Sequence, residues 1–97
     1  MFELKWLPMG EADYALLKND TSLVVKYKAV KDTLKFLATN PRHPGLETHE
    51  FKSLIGPNGE KVFEAYAQHK TPAAYRVFWY YGPDRHVITN FALTSHP

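Results

Sequence analysis

Five apolar residues constrain the first half of this chain more than anything else in it. Leu23, Tyr27, Val30, Leu34 and Leu37 recur at spacings of four, three, four and three. That spacing puts them on one face of an α-helix, with Lys26, Lys28, Lys31, Asp32 and Lys35 largely off it. Asp20, Thr21 or Ser22 can cap its start by accepting a backbone N–H bond, and Pro41 ends it because Asn40 is pushed out of helical geometry. A shorter helix is expected from Glu11 to Asn19, so that 11–19 and 21–39 form a helical hairpin. Before it, Phe2, Leu4 and Trp6 alternate with Glu3 and Lys5, the pattern of a half-buried strand, which Pro8 and Gly10 are expected to stop.

After Pro44 the period changes from helix to strand. Phe51–Ile55, Val62–Gln68, Tyr75–Tyr81 and Val87–Leu93 are strand candidates, separated by turn chemistry at Gly56-Pro57-Asn58-Gly59, at Lys70-Thr71-Pro72 and at Gly82-Pro83-Asp84-Arg85. Successive strands joined by short turns predict an antiparallel meander. An amphipathic hairpin needs an apolar surface to cover, so the expected fold is α+β, with the N-terminal helical hairpin on one face of a mostly antiparallel sheet built mainly from residues 47–94. Alternation assigns Phe63, Ala65 and Ala67 to the covered face together with Tyr75, Val77 and Trp79. Glu64, Tyr66 and Gln68 then share the open face with Arg76, Phe78 and Tyr80.

Composition removes several classes of function. The chain has 97 residues, room for one domain, and no cysteine, so disulfide scaffolds, thiolate metal sites and cysteine nucleophiles are excluded. MFELKWLPMGEAD carries acids early and no long apolar run, and is not expected to be a signal peptide. No stretch approaches the roughly 20 apolar residues of a membrane span. A cytoplasmic setting is expected. The net charge is +2, from twelve basic and ten acidic residues, which permits nucleic-acid contact without indicating it. No glycine-rich phosphate loop, nucleophile elbow or H-x-x-x-H metal pair is present, so no cofactor or metal is assigned.

Arg76 is the most informative single residue, a permanent cation within the apolar run AYRVFWYY. Two roles are open to it. On an open sheet face it can hold a phosphate and stabilise charge developing there, or it can pair with Glu64 on a neighbouring strand. On the open face its removal is expected to harm folding little. Histidines can move protons near neutral pH; His49 starts a strand, His96 follows the last one and His43 lies in a loop. Tyr66, Phe78 and Tyr80 can present rings for base stacking beside the cation, or pack across strands.

TNPRHPGLETHEF at 39–51 and YAQHKTPAAYRVFWYYGPDRHVITNFALTSHP at 66–97 resemble the RelE/ParE toxins of bacterial type II toxin–antitoxin systems, the plasmid-stabilisation type. The order of elements agrees along nearly the whole chain. The resemblance implies a co-expressed protein antitoxin as partner. It implies either ribosome-dependent endoribonuclease action on mRNA without a metal, or, as in the ParE kind, inhibition of DNA gyrase without cleavage; a relative that has lost toxicity is a third possibility. Carried over residue by residue, Arg76 matches the arginine that contacts the scissile phosphate, His96 the C-terminal acid or base, and His49 a supporting basic or histidine position. Tyr66, His69, Phe78 and Tyr80 are implied to contact RNA. The chain departs from the pattern at Ala67 and His69, where the best-known ribosome-dependent members carry lysines.

Overall fold

The structure, a computed structural model, describes residues 1–69 and 73–95. The strand β1 (Glu3–Trp6) leads into helix α1 (Pro8–Asn19), a 3-10 turn at Thr21–Leu23 and helix α2 (Val24–Thr39). A second 3-10 turn at Pro44–Leu46 precedes β2 (His49–Ile55), β3 (Lys61–Tyr66), β4 (Tyr75–Tyr81) and β5 (Val87–Ser95). The five strands form one sheet in the order β1-β5-β4-β3-β2. The pairs β2–β3, β3–β4 and β4–β5 are antiparallel, and β1 lies parallel to β5. The expected α+β architecture is borne out. Among the described residues no helix is long and apolar enough to cross a membrane.

α1 starts at Pro8, ahead of the expected boundary. Proline fits the first turn of a helix, because its fixed φ suits the helix and its missing N–H has no partner there in any case. Gly10 lies inside α1, where a Cβ would meet the Asn90 carbonyl oxygen at 2.8 Å; the glycine lets the helix approach β5 closely. Asp20 caps the turn after α1. It accepts from the Ser22 hydroxyl at 2.6 Å and from the Ser22 N–H at 3.0 Å, and these bonds hold its carboxyl below the usual range.

The predicted helical stripe is the main core contact. Val30, Leu34 and Leu37 are buried with Leu17, Ala65, Val77 and Trp79, while Leu23 and Tyr27 pack at the margin. At β1 the two layers are tied by aromatic rings: Trp6 stacks on Tyr14 at 5.0 Å, and Tyr14 lies 5.7 Å from Tyr27. Burial, then a hydrogen bond with Tyr27, pushes the Tyr14 phenol up to about 12. The unfolded chain gives up this proton near pH 10 and the fold resists, so stability is expected to fall as pH rises from about 10 to about 12 and to level off above. Denaturant midpoints across that range check it, and Tyr14→Phe is expected to flatten the slope.

The face away from the helices carries a second apolar cluster that the alternation did not reveal. Val62, Phe78 and Ala92 are buried there, with Phe51, Leu54 and Phe91 packed over them. A β-bulge assists. Phe78 pairs with Ala92 but Trp79 with Asn90, so β5 has an extra residue at Phe91. Half of the face expected to be open is therefore covered, which leaves its other end as the place for a polar site.

Candidate functional site

Two strands each place one charge inside an apolar run: Glu64 in the VFEAY of β3 and Arg76 in the YRVFWYY of β4. Their registers bring both to the face away from the helices. Glu64 is opposite His49 on β2 and Phe78 on β4, and Tyr66 is opposite Arg76, which in turn is opposite Thr94 on β5. One patch thus draws on β2, β3, β4 and β5.

Glu64 is its hub. The residue is 2% exposed, and a carboxylate so buried requires partners. One oxygen accepts from Arg76 Nη1, and the other lies 2.7 Å from His49 Nε2. The Tyr66 phenol is held above its ordinary range, first by desolvation and then by the neighbouring Glu64 carboxylate charge. Tyr66 is therefore a neutral donor at physiological pH.

Arg76 lies on the face away from the helices, as expected from sequence, but it is not a solvent-exposed cation. Its side chain is only 12% exposed and makes the ion pair with Glu64, one of the two roles left open to it. The guanidinium lies over the Phe78 ring at 5.1 Å, and its Nε is buried with no partner among the described residues. The expectation that its removal would harm folding little is corrected by this burial: taking away either charge strands the other.

Phe78 and Tyr80 are corrected as well. Both are 3% exposed, so neither offers a ring face to a base. Phe78 instead supports the guanidinium and packs edge-on against Phe51 at 4.9 Å. Tyr66 remains half-exposed, between the rings of His49 at 5.7 Å and His69 at 5.8 Å.

His49 stands at the exposed rim with its Nδ1 3.1 Å from the Glu47 carbonyl oxygen. His69 is also exposed; its Nδ1 lies 3.4 Å from Glu47 Oε1 and its Nε2 3.1 Å from the Gly45 carbonyl oxygen. Glu47 holds both histidines, one through its backbone and one through its side chain, from a left-handed φ of 48° that non-glycine residues seldom adopt. His43 caps the Pro44–Leu46 turn by accepting from the Gly45 N–H, and stacks on Phe36. His96 lies outside the described residues; in sequence it follows Thr94, the β5 partner of Arg76, by two positions.

The pairing of Glu64 with Arg76 was one of the two roles open in the sequence; its contact with His49, and Glu47 as a clamp, were missed. The signal for Glu64 was present: a charge in an apolar strand asks for an opposite charge, and Arg76 asks the same on β4. Glu47 had no comparable signal, because its role depends on a backbone conformation. The patch combines a buried cation–carboxylate pair, an imidazole at its rim and a phenol donor. It can bind an anion through guanidinium N–H groups and transfer a proton at His49. Among the described residues no group of three or more His, Asp or Glu side chains is placed to hold a metal ion.

No family model and no curated protein matches this chain. Among the solved structures that share its fold are the following two. A YoeB/ParE toxin from Agrobacterium tumefaciens superimposes with a TM-score of 0.71 at 11% identity, covering 99% of this chain and 100% of the other. The archaeal RelE-RelB complex from Pyrococcus horikoshii OT3 gives 0.63 at 16% identity, covering 97% of this chain and 93% of that one.

Proposed function

We propose that this chain, whose fold is that of the RelE/ParE toxins, is the toxin of a type II toxin–antitoxin pair and arrests translation in the cytoplasm by cutting mRNA on the ribosome. The observation that carries the reading is the convergence of Arg76 and His49 on the buried Glu64 carboxylate, with Tyr66 the cross-strand partner of Arg76 beside them. Pre-organised donors that need no reorganisation during reaction are what phosphoryl-transfer catalysis uses.

In this reading Arg76 holds the scissile phosphate with the N–H groups that Glu64 does not use. His49, held at Nε2 by Glu64, exchanges the Glu47 carbonyl oxygen at Nδ1 for the 2′-hydroxyl and takes its proton there as that oxygen bonds to phosphorus. The P–O5′ bond breaks, and His96 gives its proton to the departing 5′-oxygen. Tyr66 lends a ring face and a phenol O–H to the RNA, and His69 supports that end of the patch. The products are a 2′,3′-cyclic phosphate and a 5′-hydroxyl.

A protein antitoxin is proposed as the partner. A groove lined by Leu16, Leu23, Tyr75 and Leu93 runs between the hairpin tip and the end of β5. Leu16 there is 73% exposed, as is Val25 two residues beyond Leu23 in the chain, and such apolar surface is what a folded-on-binding segment can cover.

One observation favours a second reading. Glu64 neutralises Arg76, and the chain's net charge is only +2, which suits a binding inhibitor of DNA gyrase better than a protein that grips a phosphate backbone. Controlled expression in bacteria with separate pulse labelling of protein and DNA decides between the two. Protein synthesis is expected to stop first. An earlier stop in DNA synthesis supports the gyrase reading, and undisturbed growth removes both.

A further inference from the structure

We infer that the cleft between α2 and the Pro44–Leu46 turn is a binding subsite for a nucleobase, adjoining the Arg76 patch; the inference rests on the RNA-cutting function proposed above. The cleft has a volume of about 270 Å³ and is walled by Phe36 and His43 on one side and by Tyr66 and His69 on the other, with Leu46 in its lining and Asp32 among its polar groups. Such a space suits one ring system and is too small for a helix, which is roughly 10–12 Å across with its side chains.

Three features point to a base. The first is aromatic surface left partly open to solvent. Phe36 is 45% exposed and stacks with His43 at 4.7 Å and 30°, while Tyr66 meets His69 edge to face at 74°. Exposed rings that line a cleft are what base stacking uses, and every base has a face to offer them. The second is continuity. Tyr66 is at once a wall of the cleft and the cross-strand partner of Arg76, so a nucleotide whose phosphate lies on Arg76 has its neighbour over Tyr66. The third is hydrogen bonding. The Asp32 carboxylate can accept from base N–H groups, and its present partner, Lys28 at 3.1 Å, is an exposed residue one helical turn away that is readily displaced.

The test is titration of the full chain with each of the four nucleoside 5′-monophosphates, following the ring signals of His43 and His69 by NMR, with inorganic phosphate and N-acetyltryptophanamide as comparison ligands. Saturable shifts with at least one nucleotide and none with phosphate are expected. Phe36→Ala is expected to weaken that binding about tenfold, the loss of one stacking platform, and Phe36→Tyr to preserve it; since Phe36 lies at the surface, both variants are expected to fold. Silent His43 and His69 signals at millimolar nucleotide would overturn the inference, as would shifts confined to His49. A response to N-acetyltryptophanamide alone would also overturn it, assigning the cleft to an aromatic side chain of a protein partner. Each of these results leaves the cleavage reading standing, because cleavage is read on mRNA and not in the cleft.

Discussion

Arg76→Ala is expected to lower the stability of the fold by about 3–5 kcal/mol, because it leaves the Glu64 carboxylate buried without its cation. The magnitude comes from asymmetry. An ion pair in a buried setting recovers little beyond the cost of desolvating both charges, but a single remaining charge bears that cost alone. His49 gives only partial relief, because it is half-exposed and reaches one carboxylate oxygen. The double variant Arg76→Met with Glu64→Gln removes both charges and keeps volume, and is expected to recover most of the loss. Denaturant unfolding of the wild type, the single variant and the double variant measures this coupling. An alanine variant as stable as the wild type would contradict the buried pairing.

Loss of toxicity in Arg76→Ala is therefore no evidence for a catalytic role, and Arg76→Lys becomes the informative change. Lysine keeps a cation beside Glu64 and so is expected to keep the fold. It lacks the planar fork with which arginine can bond Glu64 and a phosphate oxygen at once. The cleavage transition state carries more charge on phosphorus oxygens than the ground state, so a donor aimed at it lowers the barrier selectively. Losing one such donor is expected to slow cleavage about a hundredfold or more. Rates of mRNA cleavage with folded wild type and folded Arg76→Lys provide the check. Equal rates would take Arg76 off the scissile phosphate.

What could be read in the sequence follows from how local each feature is. The α2 stripe was legible because its apolar positions lie within one helix, and Val30, Leu34 and Leu37 do face the core. The division of faces at Ala65, Val77 and Trp79 was legible because alternation survives along β3 and the first part of β4. The parallel pairing of β1 was not, since Leu4 finds its partner Ile88 at the other end of the chain. Nor was the cluster of Phe78 with Phe51, Leu54 and Phe91, which depends on a bulge in β5 that no turn residue marks. The same cluster explains why Phe78 resembled a stacking ring: an aromatic residue on the second face of a sheet reads identically whether that face is wet or covered.

In the candidate site, Arg76 and His49 were legible as unusual side chains and the structure brings them together through Glu64. The Arg76–Glu64 pair was open to reading because alternation puts both on one face, and the β3–β4 register makes them diagonal neighbours. The contact of His49 with the same carboxylate was not, because it depends on the β2–β3 register. His69 was legible as a polar residue at the end of a strand, but its tie to Glu47 required the left-handed backbone at that residue.

If the chain cuts mRNA on the ribosome, as proposed, mapping mRNA ends in a purified translation system shows it most directly. With ribosomes, messenger and the wild-type chain present, primer extension is expected to show new 5′-hydroxyl ends within the decoded region, absent when ribosomes are omitted and strongly reduced with folded Arg76→Lys. An intact messenger under the same conditions, with supercoiling by purified gyrase inhibited by the same preparation, would contradict the account and assign the patch to a binding inhibitor.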